Sequence, residues 1–140
     1  MLGVVFSYGI SLKDWQDSGL LAREIWPYAQ LVQDGRTQVL LFTYGDARDL
    51  QVPLPDGVRA IPMGRASGPL GALRSLLLPW HWREEFASCQ VMKTNQVWGS
   101  WVAIIAKFLC GPKLWTRAGY EHYLNHLVRR SPLRKRWASY

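Results

Sequence analysis

Polar side chains are concentrated in four short segments, each at the end of an apolar run that could form a buried strand. These segments are residues 9–19, 44–45, 93–96 and 117–121. Ligands of open parallel sheets bind beyond the carboxyl ends of the strands, so the four segments are expected to share one edge. Their amides, hydroxyls and charged groups suit a ligand that is rich in hydroxyls or carries phosphate.

Two glycines bracket the first segment and suggest a phosphate site. Gly9 follows the first strand, and Gly19 opens a helix. With Ser18 as the N-cap of that helix, the amide groups of residues 18–20 would point at an anion. The spacing is not GxGxxG, which argues against a nicotinamide site. The sequence leaves open the alternative that the glycines only permit tight turns.

Four further residues have both a binding and a structural interpretation. Trp15 could stack on a sugar ring, or anchor its loop on the body of the protein. Lys93 could bind phosphate, or end a partly buried strand. Asn95 and Gln96 offer paired donors and acceptors for sugar hydroxyls, or could cap the helix that follows them.

The last polar segment ends in a cation and a carboxylate. Arg117 would bind phosphate and Glu121 would accept a hydrogen bond from a sugar hydroxyl, or the two side chains could pair with each other.

The histidines and cysteines do not predict a metal site. His122 and His126 are four residues apart, but no HExxH pattern and no third ligand accompany them. Cys89 and Cys110 lack CxxC spacing and are expected to be buried, reduced thiols. Reduced thiols and the absence of a signal-peptide pattern predict a cytoplasmic protein.

Alternating strands and helices are expected to position the polar segments. Apolar runs predict strands at residues 2–8, 37–43, 57–62, 89–94 and 113–117, and helices at 19–32, 70–78, 98–109 and from 132 onward. Residues 10–18 are predicted to be a polar loop in which Asp14 and Asp17 are solvated. The nearly wholly apolar helix at 98–109 is expected to be deeply buried. This order predicts an α/β fold, a Rossmann-like parallel sheet with helices on both faces.

The positive charge of the chain lies at one end. Of 140 residues with a net charge of +7, residues 1–106 balance cations against acids, whereas residues 107–140 hold eight cations and one acid. Five of these cations are close in the sequence to a tryptophan: Arg129, Arg130, Arg134, Lys135 and Arg136 precede Trp137. Such a stretch could lie on an anionic membrane surface, or form a solvated helix face. No signature of a nucleic-acid-binding motif is present.

Three stretches, taken together, carry a family resemblance. They are residues 9–24 with 43–45, residues 93–100, and residues 117–121. In this order and at about this spacing they resemble the N-terminal domain of retaining GT-B glycosyltransferases of the family 4 type. The resemblance spans nearly the whole chain.

That resemblance implies transfer of a hexosyl group from a nucleotide-sugar, the co-substrate, to a glycan or lipid-linked acceptor, with no bound metal or other cofactor. The N-terminal domain would hold the acceptor, and a C-terminal domain would hold the donor. The residues near the donor phosphates would be Gly9, Ser18 and Gly19. The acceptor side would be lined by Ser11, Trp15, Lys93, Asn95, Gln96, Arg117, Tyr120 and Glu121.

Two departures from the family pattern limit what the resemblance implies. Many relatives carry a histidine near the end of the fourth strand, where this chain has residues 93–96, so no catalytic residue is assigned. The donor-binding domain and its paired glutamates are missing from the sequence. We therefore expect residues 1–140 to be one incomplete acceptor domain, inactive by itself, in the cytoplasm or at the inner face of the membrane. The alternative is a non-catalytic α/β binding module whose basic C-terminal segment associates with an anionic membrane.

Overall fold

The computed structural model describes residues 1–117, and this part of the chain contains one five-stranded sheet. The strands are β1 (Leu2–Val5), β2 (Val39–Thr43), β3 (Val58–Pro62), β4 (Val91–Thr94) and β5 (Lys113–Trp115). Their order across the sheet is β3-β2-β1-β4-β5, and every neighbouring pair is parallel. The predicted α/β fold with a Rossmann-like parallel sheet is confirmed.

Helices connect the strands on both faces of the sheet. After β1 come α1 (Leu12–Asp17) and α2 (Leu21–Val32), and after β2 comes a 3-10 helix (Ala47–Gln51). After β3 come α3 (Gly68–Ser75), α4 (Leu78–His81) and α5 (Arg83–Ser88), and after β4 comes α6 (Ser100–Cys110).

Each face of the sheet has its own apolar core. On one face, α1 and α2 pack against β1 and β2, and the rings of Phe6 and Trp15 stack with centroids 4.0 Å apart. On the other face, Phe42 stacks on Phe86 of α5 at 4.2 Å, and α6 adds buried residues such as Val102. All five residues of β2 are buried because this strand is covered on both sides, as is usual in parallel sheets.

The prediction of a polar loop at residues 10–18 is wrong, because α1 forms within it. Ser11 is the N-cap of α1. In a capping box, the Ser11 hydroxyl accepts from the Asp14 amide and the Asp14 carboxylate accepts from the Ser11 amide. Ser18, predicted as the N-cap of the next helix, is the C-cap of α1. Helix α2 begins at Leu21 without a side-chain cap.

The single helix predicted at residues 70–78 is two helices joined by a turn. Pro79 lies in the first turn of α4, where a missing backbone amide costs nothing because that amide has no partner within the helix. Helix α5 has no counterpart in the sequence prediction, since six residues are too few for a helical period to be recognised.

Helix α6 is buried on one side only, which corrects the expectation of deep burial. Val102, Ala103 and Ala106 are inaccessible, whereas Phe108 is 82% exposed and Ile104 is also exposed. The helix contacts the sheet, α4 and α5, and its remaining side is exposed within residues 1–117. Neither α6 nor any other helix in this range is long and apolar enough to cross a membrane.

Both cysteines are free thiols, but only one matches the expected burial. Cys89 is buried beneath α5, and burial raises the pKa of its thiol. Cys110, at the end of α6, is partly exposed. The expectation that both thiols are buried is therefore wrong for Cys110.

Candidate functional site

The strand order changes direction between β1 and β4, and two predicted site residues meet there. The Asn95 amide donates to the Val5 carbonyl at 2.9 Å, which places Asn95 at the end of β1. The Arg117 amide donates to the Thr94 hydroxyl at 3.1 Å, so Arg117 lies beside the end of β4. Such a switch point leaves a crevice at the carboxyl edge of the sheet, where ligands of open α/β sheets bind.

A glycine allows the start of α6 to approach this crevice. Gly99 is the N-cap of α6 and has φ +97°, and a Cβ atom at this position would lie 2.6 Å from the Tyr8 amide nitrogen. That amide donates to the Trp98 carbonyl at 3.1 Å, which links the loop after β1 to the loop after β4. Because Gly99 is the N-cap, Asn95 and Gln96 do not cap α6.

The other predicted phosphate contacts lie away from the crevice. The amide of Ser18 donates to the Asp14 carbonyl, that of Gly19 to Gln16, and that of Leu20 to Trp15. These amides close the last turn of α1, so a phosphate could accept from them only after those hydrogen bonds broke. Gly19 has φ +73° and open space around it, which fits its role as a turn residue.

Two residues predicted to bind the acceptor are buried and occupied elsewhere. Trp15 is 5% exposed and stacks on Phe6, so its ring is part of the core and does not offer a face to a sugar. Its interpretation as an anchor is the one that the structure supports. Ser11 is 2% exposed, and its hydroxyl donates to the Asp14 carboxylate and accepts from the Asp14 amide.

Lys93 points to the face that α2 covers. Its Nζ donates to the Tyr28 hydroxyl at 3.0 Å and lies 5.1 Å from the centre of that ring. This arrangement satisfies the ammonium group through a hydrogen bond and a cation–π contact. Lys93 is therefore a partly buried strand residue, whereas Gln96, three residues on, is exposed to solvent.

A small polar cavity of about 190 Å³ lies beyond the ends of β1, β2 and β3. It is lined by Gly9, Ser11, Asp14, Tyr44, Arg65, Ala66 and Ser67. We call this space the rim cavity. It contains two residues that the sequence predicted, Gly9 and Ser11, and Gly9 has φ +78° where it passes the carbonyl of Ala66.

Opposite charges surround the rim cavity. Asp46 accepts two hydrogen bonds from the Arg48 guanidinium, at 3.0 and 2.8 Å, and a third cationic contact from Arg65 at 3.1 Å. The hydrogen bonds from Arg48 hold the pKa of Asp46 far below its ordinary value. Hydrogen bonds from Ser11 hold the pKa of Asp14 below 3.8 against the opposing effect of partial desolvation, and Arg65 and Arg48 add to the lowering. Both carboxylates are therefore ionised acceptors at neutral pH.

A buried carboxylate fixes α1 against the end of β2. Asp49 is 1% exposed and accepts from the amides of Leu12 (3.1 Å) and Lys13 (3.0 Å) and from the Thr43 hydroxyl. Gly45 is needed beside it, since a Cβ there would lie 1.9 Å from the carboxylate oxygen. Asp49 thus sets the position of the first turn of α1, which carries Asp14 to the rim cavity.

The hydroxyl of Tyr44 is the least satisfied polar group near the cavity. It is fully buried and has no hydrogen-bond partner among residues 1–117. Burial raises the pKa of Tyr44, an effect that the nearby Ser75 hydroxyl partly offsets. Tyr44 is neutral at physiological pH, and its ring packs edge-on against Tyr8 with centroids 5.3 Å apart.

Sequence reasoning missed the charged groups of this site. Asp14 was taken to be a solvated loop residue, yet the Ser-x-x-Asp spacing of residues 11–14 is a capping pattern that could have placed it on a helix. Asp46 and Arg65 come shortly after β2 and β3, which is a signal for a site at the sheet edge. Asp49 has little local signal, because the two amides that it accepts from on α1 are 36 and 37 residues away and only Thr43 is near it in the chain.

Several predicted residues lie outside the described part of the chain. They are Tyr120, Glu121, Arg129, Arg130, Arg134, Lys135, Arg136 and Trp137, together with the helix expected from residue 132. Within residues 1–117, no three His, Cys, Asp or Glu side chains come close enough to hold a metal ion.

Comparison with known proteins does not assign the chain to a family: no family model matches it, and no curated protein or solved structure is significantly similar to it.

Removing the Ser11 hydroxyl should raise the pKa of Asp14 towards its ordinary value. A carboxyl whose pKa is lowered by folding adds stability above its unfolded pKa and loses that contribution as the pH falls through the folded pKa. We therefore expect Ser11→Ala to cost about 1 kcal/mol at neutral pH and to make stability less sensitive to acid between about pH 5 and pH 2. An NMR titration of the Asp14 carboxyl checks the shift, and an unchanged Asp14 pKa would contradict this assignment.

Proposed function

We propose that the chain is the acceptor-binding half of a nucleotide-sugar-dependent glycosyltransferase, which transfers a hexosyl group to a glycan or lipid-linked acceptor. The observation that carries the proposal is the rim cavity: a polar pocket lined by an ionised carboxylate, Asp14, and a guanidinium, Arg65, at the carboxyl edge of a parallel sheet. This edge is where such sheets bind ligands.

The groups at the rim cavity have the hydrogen-bonding properties that a sugar requires. The Asp14 carboxylate accepts from hydroxyls, the Arg65 guanidinium donates to them, and the Ser67 hydroxyl does either. The volume of about 190 Å³ equals roughly six water molecules at about 30 Å³ each. That volume suits a single sugar ring better than a nucleotide.

The switch-point crevice supplies the second part of the proposal. Asn95 and Arg117 lie together at the ends of β1 and β4. We assign them to the part of the acceptor nearest the transfer, with Gln96 beside them. A separate donor-binding domain would bring the nucleotide-sugar to this edge, so the chain by itself is expected to bind acceptor without turning over.

Acceptor binding is expected to depend on Arg65. Arg65→Gln should weaken binding of a methyl glycoside by about tenfold, since a charged donor to a ligand hydroxyl contributes roughly 1.5 kcal/mol. The measurement is a titration of the full chain with methyl glucoside, mannoside, galactoside and N-acetylglucosaminide, followed by NMR. Arg65 is exposed and its contact with Asp46 is at the surface, so little loss of stability is expected.

Arg36→Gln is the matched control, because Arg36 is an exposed arginine in the turn after α2 that makes no ion pair within residues 1–117. Equal affinities for Arg65→Gln and Arg36→Gln, with all four glycosides bound as in the wild type, would reject the rim cavity as the acceptor site. Hydrolysis of UDP-glucose by the chain alone would contradict the proposal that a separate domain is needed to bind the nucleotide-sugar.

A further inference from the structure

Four large apolar side chains protrude into solvent from α3, the following turn and α4. Leu70, Leu73, Leu77 and Trp80 are 69%, 62%, 66% and 53% exposed. They recur at spacings of three and four, so they follow one side of the helical path. We call them the apolar stripe. Isolated exposed leucines are ordinary, but a contiguous row of this kind marks an interaction surface.

The stripe itself carries positive charge and no acid: residues 68–81, which include α3 and α4, contain Arg74 and His81 but no Asp or Glu, and Glu84 and Glu85 follow on α5. Residues 57–83 contain four arginines and no Asp or Glu, whereas residues 1–106 as a whole are neutral. Arg74 and Arg83 are exposed and make no salt bridge with any residue in the described range. The surface that carries the apolar stripe is therefore complementary to an anionic partner.

A groove beside the stripe combines both properties. It has a volume of about 560 Å³ and lies between the loop after β3 and the two helices. Leu70 and Leu77 form its apolar wall, and Arg65, Arg74 and His81 supply its polar edge. A molecule with an anionic head and an apolar tail would satisfy both parts of this groove.

We propose that the outer face of α3 and α4 docks on an anionic phospholipid membrane. The apolar stripe enters the boundary between headgroups and acyl chains, and Arg74 and Arg83 contact lipid phosphates. Short amphipathic helices with arginine beside leucine and tryptophan bind membranes in this way. Trp80 suits the boundary itself, because tryptophan carries an apolar ring and one polar N–H.

The charge pattern selects a membrane over a second copy of the chain. A symmetric dimer through the apolar stripe would bring together two copies of α3 and α4, which carry Arg74 and no acid, and like charges at an interface oppose association. The inference does not rest on the proposed glycosyltransferase function. The basic segment at residues 129–137 is a separate candidate for membrane binding, so the test must distinguish the two.

Vesicle sedimentation of the full chain tests the proposal. We expect binding to vesicles of phosphatidylcholine and phosphatidylglycerol, and much weaker binding to phosphatidylcholine alone. The double variant Leu73→Gln/Leu77→Gln should lower the partition coefficient by about tenfold or more. Each substitution replaces an apolar side chain that would be buried in the bilayer with a polar one. Leu50→Gln is the control, because Leu50 is 63% exposed on the 3-10 helix. If the leucine double variant binds like Leu50→Gln, another part of the chain carries membrane binding and the proposal is wrong.

Quenching by brominated phosphatidylglycerol gives a second, independent readout. Trp80 and Trp26 are both exposed, but Trp26 lies on α2, on the opposite face of the sheet. Quenchable fluorescence should fall in Trp80→Phe and stay at the wild-type level in Trp26→Phe. Equal quenching in both variants, or a dimer by analytical ultracentrifugation that Leu73→Gln/Leu77→Gln dissociates, would overturn the membrane assignment.

Discussion

Replacing Asp49 with alanine is expected to lower the free energy of unfolding by about 3 to 5 kcal/mol, since each hydrogen bond to a charged group contributes about 1.5 to 3 kcal/mol and losses are not fully additive. Asp49 is buried, and its carboxylate is the acceptor for the amides of Leu12 and Lys13 and for the Thr43 hydroxyl. The variant leaves these donors without their partner. It also removes a negative charge from the N-terminus of α1.

Urea unfolding of the full chain measures this loss. Asp17→Ala is the matched control, because Asp17 is at the other end of α1 and its salt bridge with Lys13 (2.8 Å) is exposed. An exposed pair of this kind contributes about 0.5 kcal/mol or less. A cost for Asp49→Ala that equals the cost for Asp17→Ala would show that Asp49 does not hold α1 in place.

Gly99→Ala should destabilise the fold by about 3 kcal/mol or more, because it combines backbone strain of about 1 to 3 kcal/mol with a steric clash. At φ +97° the added methyl group would lie 2.6 Å from the Tyr8 amide nitrogen and 3.2 Å from its Cα. These are backbone atoms, which cannot turn aside as the end of a flexible side chain can. The loops after β1 and β4 must then separate, and the hydrogen bond between Tyr8 and Trp98 is lost.

A second glycine separates the two causes. Gly111 has φ +81°, but no heavy atom lies within 4 Å of a Cβ at that position. Gly111→Ala therefore reports the backbone strain alone, about 1 to 2 kcal/mol. The difference between the two variants in urea unfolding measures the steric part. Equal costs for Gly99→Ala and Gly111→Ala would mean that the start of α6 is not packed against the end of β1.

The architecture follows from local sequence patterns to a large extent. Five short apolar runs separated by helical segments predicted the parallel sheet, and each strand lies within the range predicted for it. The predicted helix at residues 19–32 forms as α2 although Pro27 lies inside it. The misses are the short helices α1 and α5, the separate helix α4 and the 3-10 helix at Ala47–Gln51, because four to six residues give too little periodicity for recognition.

The site was harder to predict because its parts are joined by contacts that are distant in sequence. Asn95 and Arg117 could be placed at one edge, since both follow predicted strands. Trp15 could not be assigned, because its burial depends on Phe6 and on helix α1, which Asp49 positions from 36 to 37 residues away in the chain. Arg65 reaches the rim cavity through a loop of no regular structure, which has no periodic signal.

The most direct test of the central claim is to map where a sugar binds. Backbone amide shifts of the isotope-labelled full chain would be recorded by NMR during titration with the four methyl glycosides. Our prediction is that the largest shifts fall on residues around the rim cavity, namely Gly9, Asp14, Arg65 and Ser67. Shifts confined to residues away from this edge, or none at saturating glycoside, would contradict it.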